Sequence, residues 1–339
     1  MSARRAVPAV LLSLVLALAA CAPADEGDGG TDGPTDGAAT DGGAGDGEPT
    51  RLTIATGGTG GVYFPLGGGL AQELSENIDG VEATAQETSA SVDNMLLIGT
   101  GDADVAFVLG DTAADAVEGR TDDFEGNPID ACTLGILYSN FTQLVTTPDS
   151  GITSVDDLRD QRVSLGAPGS GTEVIALRIL EAAGIDPDAD IQRSQLLVDE
   201  TVDGLRDGTI DAGFWSGGLP TGALVELASA GELALVPTAE YATDMAGQYG
   251  EFYLEQDIPA GTYDGVDEAV PTVVVPNVLV VNNSMSEDLQ RQITEVVFEQ
   301  KDDLVDVHPA AEEFDAATAG DVAFIDVCPG AQAYYDEAG

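Results

Sequence analysis

The sequence predicts a two-lobed α/β protein in which each lobe is a βαβ-based sheet flanked by helices. Three observations carry this. Strand and helix patterns alternate, and the alternation runs twice along the chain. Each run opens with a glycine-rich turn between a strand and a helix. Gly101, Asp104 and Phe107 share their spacing with Gly208, Asp211 and Phe214, each set leading into a buried strand.

In the first run, Leu52 to Ala55 reads as a strand, followed by the turn Thr56-Gly57-Gly58-Thr59-Gly60-Gly61. Leu66, Leu70, Leu74 and Ile78 then fall four apart on one helix face. Val81, Ala83 and Ala85 alternate as a second strand. Ser91 is placed as the N-cap of a helix carrying Val92, Met95 and Leu96, and Val105 to Leu109 is an apolar strand. The second run repeats the plan with a strand over Arg162 to Leu165, a glycine turn over Gly166 to Thr172 and a helix over Val174 to Ala183. Two longer β-branched runs, Leu137 to Thr147 and Thr272 to Asn282, are expected to cross between lobes. Two crossings put residues 51–145 and 270–339 in lobe 1 and residues 146–269 in lobe 2. Hinge closure about the crossings would bury a small ligand.

The N-terminus predicts the address. Arg4 and Arg5 precede an apolar run from Val7 that ends in Leu18-Ala19-Ala20-Cys21. That run is too short for a membrane span and ends in small residues, as in a lipoprotein signal peptide over residues 1–20, with Cys21 as the lipidated first residue of the mature chain. Residues 21–50 are rich in Gly, Asp, Thr, Ala and Pro and contain no aromatic or large aliphatic side chain, so they are expected to form a disordered tether. No second hydrophobic span follows. The expected location is extracytoplasmic, on the outer face of the cell membrane and held there by lipid alone.

With 61 acidic and 11 basic residues the formal net charge is −50, and Lys301 is the only lysine. Nucleic acid is excluded as a partner, since neutralising phosphates needs a basic surface. The acidity fits either a high-salt habitat, where screening relieves self-repulsion, or a genome biased toward Asp, Gly and Ala codons. Cys132 and Cys328 form an even remainder once Cys21 is set aside, and in an exported chain they are expected to pair, two buried free thiols being the alternative. With two thiols and the single His308, neither a metal site nor a cofactor is expected.

An enzyme is the rival class. The chain has no Gly-x-Ser-x-Gly elbow and no lysine placed for a P-loop, and His308 has no nucleophile near it in any motif. The glycine turns point elsewhere. Backbone amides at a glycine turn and the following helix N-terminus bind an anion without lysine. Thr59, Gly60 and Gly61 would serve one carboxylate from the first lobe, and Ser170, Gly171 and Thr172 from the second. Tyr63 and Trp215, followed by Ser216 and Gly217, are candidate cleft walls, Tyr263 fits core better, and Ser89 is a candidate donor. Arg178 lies well inside its helix and is left out of the site.

The residues IATGGTGGVYFPLGGGLA from Ile54, SASVDNM from Ser89, SLGAPGSGTEVIALRILEAAGI from Ser164, DAGFWSGGLPTGAL from Asp211, PAGTYDG from Pro259 and PGAQAYYDEAG from Pro329 carry a family resemblance. Together, in this order, they resemble the TAXI-type solute receptor of TRAP transporters over nearly all of residues 51–339. The resemblance implies a type II periplasmic-binding-protein fold and no enzymatic activity. It also implies capture of a small organic anion, such as glutamate, glutamine or a dicarboxylate, and delivery to TRAP membrane permease subunits, and a monomer is expected because a hinge-closing receptor must present its cleft face to the permease. A sensor subunit feeding a membrane kinase would look the same in sequence. Family members often carry His where this chain has Cys328, a departure that favours the disulfide.

Overall fold

A computed structural model describes residues 48–338. The signal peptide, Cys21 and nearly all of the tether lie outside the described residues. In chain order the elements are β1 (Thr50–Ala55), α1 (Tyr63–Asn77), β2 (Val81–Gln86), α2 (Ser91–Thr100), β3 (Val105–Leu109), α3 (Gly110–Glu118) and β4 (Ala131–Thr146). Then come β5 (Arg162–Ser164), α4 (Gly171–Ala182), β6 (Gln192–Ser194), α5 (Val198–Arg206), β7 (Ala212–Gly217), α6 (Gly222–Ser229) and β8 (Ala234–Val236). The chain continues through α7 (Ala242–Tyr249), β9 (Leu254–Ile258), β10 (Val270–Asn282), α8 (Glu287–Glu299), α9 (Lys301–Val307) and α10 (Pro329–Ala338).

The strands run in the order β2-β1-β3-β10-β4-β7-β5-β6, with β8 added to β4 and β9 to β10. Each end of this sheet is a parallel βαβ unit: β1 lies between β2 and β3, and β5 lies between β6 and β7. The centre is antiparallel and holds the two longest strands, β4 of 16 residues and β10 of 13. Their near-continuous burial explains why they read as β-branched runs instead of alternating ones. The result is the two-lobed α/β architecture expected from sequence, with β4 and β10 common to both halves.

The repeated triplet has a structural meaning. Gly101 and Gly208 both adopt left-handed φ after a helix, at 77° and 64°. Asp104 accepts a hydrogen bond from the Thr53 N–H at 2.8 Å, and Asp211 accepts one from the Arg162 N–H at 2.9 Å, so each carboxylate ties its strand to the one beside it. Phe107 and Phe214 are both buried beneath the flanking helices. The Arg162 side chain also bonds Asp211 and holds its carboxyl below the usual range.

Two local expectations change. Helix α4 begins at Gly171, three residues before the expected start, because the Ser170 hydroxyl caps it by accepting from the Glu173 N–H at 3.1 Å. Ser91 is not the N-cap of α2. It is the first helical residue, and its hydroxyl accepts from the Leu109 N–H at 3.1 Å, which ties α2 to the end of β3. Cys132 on β4 and Cys328, just before α10, form a disulfide that spans 196 residues of sequence.

Candidate functional site

A cavity lies between the two ends of the sheet, where the carboxyl ends of β1, β3 and β7 meet helix N-termini. The centres of water-sized molecules have about 30 Å³ in which to move, against roughly 10–15 Å³ for one water. Four helices begin on its wall: α1 at Tyr63, α2 at Ser91, α4 at Gly171 and α5 at Val198. The first N–H groups of a helix lack intrahelical acceptors and its N-terminal end favours an anion, and no charged side chain lines the wall, although on α2 the Val92 and Asp93 N–H groups are already taken by the Gly169 carbonyl and on α4 the Glu173 N–H by Ser170. Helix α1 has neither an acidic residue in its first turn nor a side-chain cap, whereas α2, α4 and α5 carry Asp93, Glu173, and Asp199 with Glu200. The positive end of α1 is therefore the least compensated.

The glycines at this site serve close approach more than unusual backbone angles. A Cβ on Gly61 would lie 2.7 Å from the Trp215 ring, and one on Gly171 would lie 2.5 Å from Leu109 Cδ1 and 2.9 Å from the Ser91 hydroxyl. Both contacts join opposite ends of the sheet. Among the glycines of the two turns only Gly166 and Gly169, in the second, adopt positive φ. The first turn needs glycine because Trp215 and α5 pack directly on its backbone.

Of the residues expected to bind, Gly61, Tyr63 and Ser89 line the cavity from one side, and Ser170, Gly171, Thr172, Trp215, Ser216 and Gly217 from the other. Thr59 and Gly60 are not on the wall: Thr59 is exposed, and the Gly60 carbonyl faces α6, accepting from the Ala223 N–H at 3.3 Å. Sequence reasoning missed Leu109, Leu196, Leu197 and Val198, which supply an apolar wall. The signal for them was present in part, since Leu196 to Val198 is an apolar run just ahead of acid-rich α5. Leu109 closes a strand and gave no hint of facing a ligand.

The wall side chains are held from behind. Thr172 Oγ1 accepts from the Ser216 N–H at 3.1 Å, joining α4 to β7. Trp215 Nε1 donates to Thr221 Oγ1 at 2.9 Å, and the Thr221 N–H donates to the Tyr263 hydroxyl at 3.0 Å, which in turn donates to Gln143 at 2.7 Å. Tyr263 is thus core, acting on the cleft through Trp215. The Tyr63 hydroxyl accepts from Asn277 Nδ2 at 2.7 Å, and burial pushes its pKa far above the usual tyrosine value.

Two clusters bridge the ends of the sheet away from the cavity. Arg178 on α4 reaches Asp115 at 2.5 Å, Asp111 at 3.5 Å and the Tyr253 hydroxyl at 2.8 Å, all nearly buried. Burial pushes the Asp111 carboxyl up, against the pull of the Arg178 guanidinium. His308 caps the short helix Pro309–Glu313 through Nδ1, which accepts from the Ala310 N–H at 3.1 Å, so the proton sits on Nε2 and points to the Pro220 carbonyl at 3.1 Å. Among the described residues there is no group of three His, Cys, Asp or Glu side chains that could hold a metal ion, and no helix long and apolar enough to cross a membrane.

The fold has counterparts among solved structures. A protein of Bordetella bronchiseptica RB50 superposes with a TM-score of 0.53 at 15% identity, over 86% of this chain and 98% of that one. A binding protein component of an ABC phosphonate transporter from Pseudomonas aeruginosa superposes with a TM-score of 0.51 at 12% identity, over 78% and 80%. At such identities the likeness concerns the fold. The sequence itself matches the NMT1-like family across residues 54–339, from the first glycine turn through α10, and the chain belongs to that family.

Proposed function

We propose that this chain is an extracytoplasmic solute receptor, without enzymatic activity, that captures a small organic anion in the cavity and delivers it to a TRAP-type membrane permease. One observation carries the reading: four helix N-termini converge on a cavity whose wall holds hydroxyls, amides and apolar side chains but no charged group. Such a site neutralises an anion with backbone N–H groups, each charge-assisted bond contributing about 1.5–3 kcal/mol. The least compensated end, that of α1, is the natural seat for the anionic group. The binding role of the Pseudomonas aeruginosa neighbour supports the receptor class, while the permease type and a glutamate-, glutamine- or dicarboxylate-like cargo rest on the sequence resemblance. In this reading Cys21 carries the lipid, residues 21–50 hold the folded part off the outer face of the membrane, and the receptor is a monomer.

A thermal-shift screen against glutamate, glutamine, 2-oxoglutarate, succinate and neutral sugars, at low and high salt, tests the proposal. A ligand at 100 times its Kd stabilises by about 2.7 kcal/mol, a shift of several degrees. A shift confined to small anions supports the receptor. No shift with any of them, in protein shown to be folded, sinks it.

A further inference from the structure

The cavity and the space just outside it differ in charge. Among the described residues no charged side chain lines the cavity, and Leu109, Leu196, Leu197, Val198 and Trp215 make its apolar part. A wider, open hollow borders it and shares Ser89, Ala167 and Leu197 with its wall. That hollow carries Glu87, Asp93, Asp102 and Glu200, and no basic residue lines it. Leu197 stands at the boundary, its Cδ2 so near the first turn that a Cβ on Gly58 would lie 2.9 Å from it.

One polar group on the wall is left over. Ser216 lines the cavity and is 7% exposed, and its N–H is held by Thr172, yet its Oγ is buried without a hydrogen-bond partner. Buried polar atoms are almost always satisfied, so this hydroxyl marks a place where the partner comes from outside the chain. A carboxylate oxygen accepts from a hydroxyl. The start of α1, with no side-chain cap and no acid in its first turn, lies on the same wall.

The wall holds nothing for a second charge. No arginine or lysine lines it to pair a further carboxylate, and no carboxylate lines it to pair an ammonium, so either group would be buried unpaired, which is costly. The acids of the outer hollow act in the same sense, because fixed negative charges repel a dianion more strongly than a monoanion. Space is short as well. The 30 Å³ open to the centres of water-sized molecules corresponds to roughly two to three water-sized groups. The leucines and Trp215 suit methyl and methylene groups there.

We propose that the cavity selects a short-chain monocarboxylate, its one carboxylate on Ser216 Oγ and the start of α1 and its hydrocarbon end against Leu196, Leu197 and Trp215, and that it disfavours dicarboxylates and α-amino acids. The inference rests on the receptor reading and moves its cargo toward smaller anions with a single charged group.

Titration calorimetry on the intact protein at fixed ionic strength, with propionate and butyrate against succinate and glutamate, tests it. The tighter of the two monocarboxylates is expected to bind about tenfold or more tightly than succinate or glutamate. Leu197→Asn puts an amide at the hydrocarbon end and suits the N-cap position that Leu197 holds on α5. It is expected to shrink that preference about threefold or more. Succinate or glutamate bound as tightly as the monocarboxylates, or a preference unchanged in Leu197→Asn, overturns the inference and leaves the receptor reading standing. Folded wild-type protein that binds none of the four overturns both.

Discussion

The carbonyl oxygen of Gly169, in the second glycine turn, accepts the Val92 N–H at 3.1 Å and the Asp93 N–H at 3.2 Å, and so caps helix α2 at the other end of the sheet. The first turn does the same in reverse, its Gly60 carbonyl taking the Ala223 N–H at the start of α6. Each glycine turn thus completes a helix end across the cleft, where orphan N–H groups would otherwise need water.

The contact between the first turn and Trp215 depends on the bare backbone of that turn. In Gly61→Ala the new Cβ meets the Trp215 ring, whose own position is fixed by Thr221. In a ligand-free protein that opens at this contact the clash is absent, so the ligand-free stability should then change by less than about 1 kcal/mol, while affinity for the cargo falls about tenfold or more. Calorimetry and urea unfolding on the same preparation separate the two effects. Unchanged affinity would mean that the lobes do not close onto this contact.

Removing Arg178 leaves the buried Asp111 without its cation and Asp115 with Arg120 alone, at 3.2 Å. Arg178→Met should cost about 3–5 kcal/mol in urea unfolding, since a broken buried ion pair strands its partner charges. Combining it with Asp115→Asn should recover part of that loss. An additive double variant would show that the charges do not act together.

The Cys132–Cys328 bridge closes a loop of most of the folded chain. Replacing both cysteines by alanine should lower stability by about 2–5 kcal/mol. The bridge lies at the far end of β4 from the cavity wall, so affinity in protein that remains folded should stay within about twofold of wild type. Chemical denaturation with and without reductant checks the first expectation and calorimetry the second.

Burial lowers the His308 pKa, opposed only by the Pro220 carbonyl. The unfolded chain therefore takes up this proton first on acidification. The associated stability is complete above the ordinary histidine range and is lost as pH falls through that range toward the folded value. Protonation also makes Nδ1 a donor and breaks its bond from the Ala310 N–H. Wild type should lose more stability than His308→Gln between about pH 8 and pH 5. Equal losses would assign the dependence to other groups.

The sequence by itself determined the alternation of strands and helices, the two glycine turns, the two long strands and the internal repeat. Periodicity, turn chemistry and spacing are local properties, and Gly101-Asp104-Phe107 and Gly208-Asp211-Phe214 carry the same local task twice. Tertiary structure alone decided which face of each turn meets the cavity, and so left Thr59 exposed and turned Gly60 toward α6. It gave the Ser91 hydroxyl to Leu109, and it set Arg178 against acids 63 and more residues away in sequence. A row of buried polar residues was equally hidden, because Asn140 and Asn277 come onto one face of the sheet only through the antiparallel register of β4 with β10. Pairing across such separations is set by how whole strands align and which face packs inward, and no short stretch of sequence encodes that.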